Sequence, residues 1–214
     1  MRGGKKHKLA KLPNPTIRRY PVYLREIFAI MNAGGKYVSS ASLAERLGQD
    51  SVLTRKDLAM TGVIGKPRLG YDTKEISAAI LKALGWDKPS QAALVGVGHL
   101  GRALLGYTGF AEQKITVSYA FDADPAKIGE VVSGVEILDI AKLEDKLADG
   151  STKLAILAVP DSAAQQCADA LAKTPVKGIL NFSHVLLTVP RHIRAQNVDL
   201  AQPLALLSHQ ILSD

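Results

Sequence analysis

The sequence predicts an α/β fold in which an N-terminal winged helix-turn-helix precedes a Rossmann-like domain with a parallel sheet. Three short helical patterns and a Gly/Pro-rich basic ribbon fill the chain up to Tyr71, whereas strands and helices alternate from Ala92 onward. A G-x-G-x-x-G motif begins at Gly96, between the first of those strands and the next helix. We expect a DNA-binding domain at 1–84, a nucleotide-binding domain at 85–200 and a C-terminal dimerisation helix at 201–214.

Charge is distributed unevenly along the 214 residues. Up to Tyr71, 14 lysines and arginines face four acids, a net charge of +10, whereas from Gln91 onward ten face 13 acids, a net charge of −3. A basic region beside an acidic one suggests that one of them binds a polyanion. The single cysteine, Cys167, and the lack of a secretory signal or a long apolar stretch predict a cytoplasmic protein without a membrane span.

The N-terminal part predicts a basic arm at residues 1–15 and then three helices. Apolar residues recur at near-helical spacing over 21–32, with Pro21 suited to a first helical position. Ser39 or Ser40 can cap a second helix over 41–47, and Ser51 a third helix that continues through Met60. The predicted helix ends are at Gly34-Gly35 and Gly48.

The third helix and the ribbon after it carry the candidate DNA contacts. Long cationic donors on a recognition helix bind phosphates and base edges, and a basic Gly/Pro-rich ribbon is typical of a wing. A small helical packing domain with solvated charges is the alternative explanation, but the basic arm and the +10 charge favour double-stranded DNA. The expected DNA-binding residues are Ser51, Thr54, Arg55, Lys56, Lys66, Arg68 and Tyr71.

A linker helix capped by Asp72 or Thr73 should run through Leu84 and end at Gly85. Alternating strands and helices follow, and a last Leu-rich helix runs from Asp199 to the end. The predicted strands are 92–95, 115–121, 154–159 and 178–182, and the predicted helices between them are 99–107 and 162–173.

The glycine motif predicts a dinucleotide site. Glycines let the backbone approach a pyrophosphate, and the following helix offers N–H groups and the positive end of its dipole. Asp122 ends the next strand, 21 residues after Gly101, where an acid normally binds the adenosine ribose. An acid there favours NAD over NADP, and Asp124 or Lys127 could reach the same end of the cofactor.

Catalytic machinery is lacking beside this site. His99 occupies a variable position of the motif, and His184 has neither a paired acid nor a substrate-anchoring arginine near it in the sequence. Cys167 falls in a predicted Ala-rich helix. This composition favours a small core residue over a redox thiol. No cluster of residues predicts a metal site. We therefore expect a protein that binds a redox cofactor without using it for catalysis.

Over nearly its whole length the chain resembles the Rex family of redox-sensing transcriptional repressors. The resemblance rests on PVYLR at 21–25, VSS at 38–40, RKDL at 55–58, GYD at 70–72, VGVGHLG at 95–101, FDADP at 121–125, AVP at 158–160, KGILNF at 177–182 and NVDL at 197–200. The family's Asn-Phe-Ala-Pro is replaced by Asn181, Phe182, Ser183 and His184.

The resemblance implies a homodimer that exchanges C-terminal helices, binds a palindromic operator and leaves it when NADH binds. It implies that Arg25, Tyr107 and the partner subunit's Asp199 form a switch, and that Leu200 reaches the partner's nicotinamide pocket. The residues expected to bind NADH or NAD+ are Gly96, Val97, Gly98, His99, Leu100, Gly101, Asp122, Asp124, Lys127, Val159, Pro160, Asn181, Phe182 and Ser183.

Two other functions fit the sequence less completely. One is an NAD-dependent oxidoreductase with a nucleic-acid-binding arm, and the other is a regulator that responds to coenzyme A or another nucleotide on the same fold. The repressor is favoured because the DNA-binding module is complete and the catalytic module is not.

Overall fold

The computed structural model describes residues 12–213, which divide into two compact units on either side of the Lys88–Pro89 bond. The predicted basic arm lies outside the described residues up to residue 11. The elements of the first unit are α1 (Asn14–Asn32), β1 (Tyr37–Val38), α2 (Ser40–Leu47), α3 (Ser51–Ala59), β2 (Tyr71–Asp72) and α4 (Thr73–Leu84). β1 and β2 pair antiparallel.

The core of the first unit is built from the inward faces of its helices. Two tyrosines of α1 are fully buried and pack with aliphatic residues of the other helices, which sequesters apolar surface from water. The largest of these buried side chains are Tyr20, Tyr23, Ile27, Leu43, Leu58, Ile76 and Ile80.

The first helix begins earlier than its sequence predicts. Pro13 is its N-cap and Pro15 lies in its first turn, so Pro21 falls inside the helix rather than at its start. The prediction that Pro21 opens the helix is therefore wrong. A proline suits the first turn because the N–H that it lacks would have no intrahelical partner there, and Pro15 fills that place.

The predicted ends of the second and fourth helices are confirmed. The Ser39 side chain accepts the Ser42 N–H before α2, and the Asp72 side chain accepts two N–H groups at the start of α4. Both helices end at a glycine in the left-handed region, Gly48 and Gly85, where a side chain would be strained. The third helix is capped by Asp50, one residue before the predicted Ser51.

The second unit contains a seven-stranded sheet with the strand order β5-β6-β4-β3-β7-β8-β9. All pairs are parallel except the β5–β6 hairpin. Its elements are β3 (Ser90–Val95), α5 (His99–Leu105), α6 (Gly109–Glu112), β4 (Ile115–Asp122), β5 (Val131–Val132), β6 (Val135–Asp139), α7 (Leu143–Leu147), β7 (Thr152–Leu157), α8 (Asp161–Ala172), β8 (Gly178–Asn181), β9 (Arg194–Asn197) and α9 (Ala201–Ser213).

Successive strands leave β3 in opposite directions, so the strand order reverses between β3 and β7. In open α/β sheets, ligands bind at such a switch point, beyond the carboxyl ends of the strands. One face of the sheet packs on α7 and α8, and the other packs partly on α5 and α6. Fully buried β3 residues such as Leu94 and Val95 contribute to opposite faces because strand side chains alternate.

Candidate functional site

The loop after β3 has the geometry of a phosphate cradle. Gly96 has φ +93°, and a Cβ there would lie 2.5 Å from the Ala158 carbonyl oxygen, so only glycine fits. A Cβ on Gly101 would collide with the Gly96 carbonyl, which shows that α5 packs tightly on the loop. A Cβ on Gly98, in contrast, would meet nothing within 4 Å. The open side of the loop is therefore at Gly98, where a pyrophosphate would fit.

Asp122, at the carboxyl end of β4, holds this loop in place. One of its oxygens accepts the Val97 N–H at 2.7 Å and lies 3.2 Å from Lys127 Nζ, while the other accepts the Asp124 N–H at 2.9 Å. Burial alone would raise the pKa of Asp122, but these donors outweigh it and lower the pKa below its usual value. The carboxylate thus stays ionised and keeps capacity for a ribose hydroxyl, beside the exposed Asp124.

Side chains of the motif divide between the protein interior and the surface. Val97 is fully buried and its N–H donates to Asp122, so a contact of this residue with the cofactor stays a prediction. His99 and Leu100 are exposed at the start of α5. The first N–H groups of a helix have no intrahelical partner and point towards the space before it, which is the space beside Gly98.

The other side of the crevice is lined by the segments after β7 and β8. Val159 and Phe182 are partly buried there and Pro160 is exposed. Asn181 is fully buried, and its side chain bonds to both Ser183 and the Val185 carbonyl oxygen, which it reaches at 2.9 Å.

Asn181 and Ser183 therefore use their side chains to fix the loop after β8. The Asn181 Oδ1 accepts the Ser183 N–H at 3.0 Å and the Ser183 hydroxyl at 2.8 Å. Both side chains are buried and their polar atoms have partners within the protein. A contact of these two residues with the cofactor stays a prediction.

The third helix presents its cations to solvent. Ser51, Arg55 and Lys56 are exposed, as a recognition helix requires. Thr54 is fully buried, and its hydroxyl donates to the Asp50 carbonyl oxygen at 3.0 Å. The prediction that Thr54 contacts DNA is therefore wrong, because it lies on the inward face of the helix.

A buried carboxylate fixes the inward face of α3, which sequence reasoning missed. Asp57 is 1% exposed and binds three side chains of α1. Its oxygens accept the Thr16 hydroxyl at 2.9 Å, the Tyr23 hydroxyl at 2.8 Å and two N–H groups of Arg19 at 2.6 and 2.8 Å. The signal was present, since residues 54, 57 and 58 fall on one helical face at spacings of three and four.

The hydrogen bonds in this cluster keep the Asp57 carboxyl group ionised, which favours its ion pair with Arg19. Burial alone would raise the pKa of Asp57, but the hydrogen bonds from Arg19, Tyr23 and Thr16 lower it below its usual value. Burial also raises the pKa of Tyr20, whose hydroxyl donates to the Asp57 carbonyl oxygen, to about 12. The charged carboxylate is thus the stable form at neutral pH, and it ties α1 to α3.

The predicted wing is a tight hairpin. Lys66 and Gly70 form an antiparallel bridge, and Arg68 at the tip has φ +64°, an uncommon conformation for a residue other than glycine. Lys66 and Arg68 are exposed. Lys66 Nζ lies 3.2 Å from the Tyr37 hydroxyl and 5.2 Å from its ring centroid, and the hydrogen bond raises the pKa of Lys66.

Tyr71 does not belong to the wing surface. It is only 9% exposed and packs in the core of the first unit, so the prediction that its side chain contacts DNA is wrong. Its strand β2 instead anchors the base of the hairpin to β1.

Comparisons with known proteins find relatives for both parts of the chain. Residues 11–59 match the family described as "Putative DNA-binding protein N-terminus", and residues 87–185 match the family described as "CoA binding domain". The chain is 38% identical over 193 residues to the redox-sensing transcriptional repressor Rex of Treponema denticola, covering 90% of this chain and 92% of that protein. It is 39% identical over 204 residues to the Rex repressor of Lactobacillus acidophilus, covering 95% and 97%.

The chain belongs to the Rex family of redox-sensing transcriptional repressors. Solved structures agree. RSP, a Rex-family repressor, in complex with β-NAD+ and operator DNA superposes with a TM-score of 0.87 at 31% identity, covering 94% of this chain and 93% of that one. RSP in complex with β-NADH gives 0.84 at 31% identity, covering 94% and 95%. The Rex relatives are named as repressors rather than as enzymes.

The residues that the Rex resemblance assigns to a switch are all exposed. Arg25 has a side chain that is 74% exposed and lies 4.0 Å from Glu26, while Tyr107 packs edge-on against Phe110 at 5.1 Å. The Asp199 side chain accepts the Ala201 N–H at 2.8 Å, and Leu200 is 70% exposed.

The second unit of this Rex-family chain has a helix with an exposed apolar surface and an open apolar groove. α9 has leucine and isoleucine side chains that are more than half exposed, namely Leu204, Leu206, Leu207, Ile211 and Leu212. The groove lies on the sheet face that α5 and α6 cover only partly, has a volume of about 250 Å³, and is lined by residues including Phe110, Ile156 and Leu180.

Within residues 12–213, no three His, Cys, Asp or Glu side chains come together as a metal site. In that same range, no helix is both long and apolar enough to cross a membrane.

Proposed function

We propose that this chain is a cytoplasmic transcriptional repressor that senses the NADH/NAD+ ratio and releases its operator when NADH binds. The observation that carries the proposal is the pairing, in one Rex-family chain, of a glycine cradle open at Gly98 with a helix that exposes Arg55 and Lys56. The RSP structures with operator DNA, NAD+ and NADH support the same combination of ligands.

The dinucleotide lies across the switch point of the sheet. Its pyrophosphate is bound at Gly98 beside the first N–H groups of α5, and its adenosine ribose is bound by Asp122 with Asp124 and Lys127 nearby. The nicotinamide end then extends past Val159, Pro160 and Phe182. The reduced ring is neutral and the oxidised ring is positive, so an apolar lining from Phe182 and the partner subunit's Leu200 favours NADH.

Double-stranded DNA is bound by α3 and the wing. Arg55 and Lys56 reach base edges and phosphates from α3, with Ser51 at its N-terminal end. Lys66 and Arg68 contact the backbone or the minor groove from the hairpin. Because Arg55 and Lys56 follow the inward-facing Thr54, the Asp57 cluster sets the angle at which they leave the protein surface.

The functional form is a homodimer in which the α9 helices are exchanged. An isolated chain with five large aliphatic side chains exposed on one short helix would be unstable in water. The apolar groove of a second copy offers the complementary surface. A two-fold dimer presents two recognition helices and therefore binds a palindromic operator.

The dimer is tested by sedimentation of the wild-type chain and Leu207→Glu. A charge in an apolar interface is costly, so the variant should sediment as a monomer at concentrations where the wild-type chain is dimeric. Glu112→Lys, a charge change on an exposed residue of α6, serves as the control and should stay dimeric. A dimeric Leu207→Glu would show that α9 does not form the interface.

Communication between the ligands runs through Arg25, Tyr107 and the partner subunit's Asp199. NADH can displace DNA only if it binds the DNA-incompetent arrangement more tightly, and DNA must then weaken NADH binding equally. Arg25 pairs with Asp199 in one arrangement and is released or paired through Tyr107 in the other. Asp199→Ala should bind both ligands and lose most of their antagonism, measured as operator affinity with and without saturating NADH.

One titration distinguishes this function from the alternatives. NADH, NAD+ and coenzyme A are each added to the protein bound to its operator, and release is followed by fluorescence anisotropy. We expect NADH to release the operator at a lower concentration than NAD+ or coenzyme A does. Release by coenzyme A alone would establish a different nucleotide regulator, and turnover of an added hydroxy or carbonyl substrate would establish an oxidoreductase.

A further inference from the structure

The segment after β7 lies directly against the glycine cradle, and the segment after β8 bonds in turn to the end of β7. The Ala158 N–H donates to the Val95 carbonyl oxygen at 2.8 Å, and the Phe182 N–H donates to the Leu157 carbonyl oxygen at 2.9 Å. A Cβ on Gly96 would lie 2.7 Å from a methyl group of Val159. A ligand that passes over the cradle towards β8 must therefore pass the residues that follow these segments.

An Asp–His pair stands at that rim. Asp161 is the first residue of α8, and one of its oxygens accepts the backbone N–H of His184 at 2.9 Å. The other lies 3.5 Å from Nδ1 of the same histidine. The Asp161 side chain is 53% exposed and the His184 side chain 88% exposed. The loop after β8 thus fixes the orientation of a carboxylate that remains in contact with solvent.

The crevice has one acid on each side of the cradle. Asp122 is the last residue of β4, which lies on one side of β3. Asp161 comes shortly after the end of β7, which lies on the other side of β3. Adjacent strands are about 4.8 Å apart and β3 lies between β4 and β7, so these two strands are two spacings, roughly 10 Å, apart. When adenosine lies at Asp122, the nicotinamide lies on the side of Asp161.

We propose that Asp161 sets the discrimination between NAD+ and NADH in this chain, with His184 as its positioning residue. The inference rests on the proposed NAD(H)-binding function. A carboxylate attracts the positive ring of NAD+ and gains nothing from the neutral ring of NADH. Asp161 therefore tightens NAD+ binding selectively and raises the NADH/NAD+ ratio at which the operator is released.

The expected effect is moderate because the pair is exposed. Two unit charges several ångströms apart near a protein surface interact weakly enough that removing one changes an affinity by roughly three- to tenfold. Salt screens such an interaction, so the effect should shrink as ionic strength rises.

The test compares full-length wild-type protein and Asp161→Asn by calorimetric titration with NAD+ and with NADH. NAD+ should bind the variant roughly three- to tenfold more weakly, and NADH about as tightly as before. Asp161→Glu keeps the charge and should retain the wild-type ratio of the two affinities. Asp169→Asn removes an exposed charge from the same helix, about 12 Å along its axis, and should leave the ratio unchanged.

His184→Pro tests the positioning role, because proline has no N–H to donate to Asp161. The ratio should move in the same direction as in Asp161→Asn and by a smaller factor, whereas His184→Ala keeps the N–H and should shift it less. A change in both affinities by the same factor in Asp161→Asn would mean that the residue only shapes the pocket, and an unchanged ratio would equally overturn the proposal. Failure of the wild-type protein to bind either dinucleotide would instead refute the proposed function itself.

Discussion

The two units of the chain each fix their functional segment with an aspartate, but by different means. Asp57 holds the recognition helix through side chains of another helix, 34 to 41 positions away in the sequence. Asp122 holds the glycine loop mainly through backbone N–H groups, and it also pairs with Lys127, five positions later in the sequence. The nucleotide loop is therefore held mainly by backbone groups, whereas the DNA-binding surface depends on side-chain packing across the unit.

The largest effect is expected from Asp57→Ala, which tests whether the first unit depends on this carboxylate. The change leaves Arg19 and the Tyr23 and Thr16 hydroxyls without their partner, and should cost about 3–5 kcal/mol of unfolding free energy in the first unit. Operator binding should fall sharply while NADH binding, carried by the other unit, persists. Urea unfolding and NADH fluorescence titration check the two parts.

Asp57→Asn is the matched control because it preserves the volume of the side chain. It should fall between the wild-type protein and Asp57→Ala in both stability and operator affinity. Wild-type operator affinity in Asp57→Ala would show that the cluster does not position α3.

Asp122→Ala tests the corresponding role in the nucleotide unit. Loss of the carboxylate removes a charge-assisted hydrogen bond to the ribose and releases the Val97 N–H, so NADH binding should weaken by about 1.5–3 kcal/mol. Asp124→Ala, a change of an exposed neighbour, should cost less. Equal losses of NADH affinity in the two variants would show that Asp124 contributes as much to binding the ribose as Asp122 does.

Arg55→Ala should weaken operator binding by about 1–3 kcal/mol and relax base preference, because it removes a donor to base edges. Lys66→Ala should weaken binding to all sequences alike and flatten its salt dependence, since phosphate contacts carry no sequence information. Binding to the operator and to a scrambled duplex across a salt series separates the two roles. If Arg55→Ala behaved like Lys66→Ala, α3 would not read the bases.

A smaller effect is expected from pH. The pKa of Asp57 is lowered in the folded protein, so the ion pair stabilises the fold fully above the ordinary aspartate pKa of about 3.9 and loses this contribution as the pH falls through the folded value. The difference in unfolding free energy between wild type and Asp57→Asn should therefore be constant near neutral pH and shrink in acid. A difference that grew on acidification would contradict the assigned shift.

The sequence was sufficient where a feature depends on neighbouring residues. The caps at Ser39 and Asp72 and the helix ends at Gly48 and Gly85 were all predicted, because each depends on a few adjacent positions. Thr54 was misassigned because its neighbours are cationic, whereas its own side chain is fully buried and its hydroxyl donates to the Asp50 carbonyl oxygen.

Features that depend on distant pairing were missed. The strand Arg194–Asn197 is polar and has no strand pattern, and it forms because its backbone pairs with β8. Asn181 was assigned to the cofactor from its place after a strand, but its hydrogen bonds join it to the loop that follows. Burial and partners of this kind are properties of the folded chain.

In the proposed function, a dinucleotide bound at the glycine cradle controls the affinity of the protein for its operator. Gly98→Val tests it most directly, because a Cβ there would meet no protein atom within 4 Å and the added side chain extends into the space assigned to the pyrophosphate. The measurement is operator affinity during an NADH titration of the wild-type chain and this variant. We expect both proteins to bind the operator equally without NADH and only the wild type to release it when NADH is added. Release of Gly98→Val at the same NADH concentration would contradict the account.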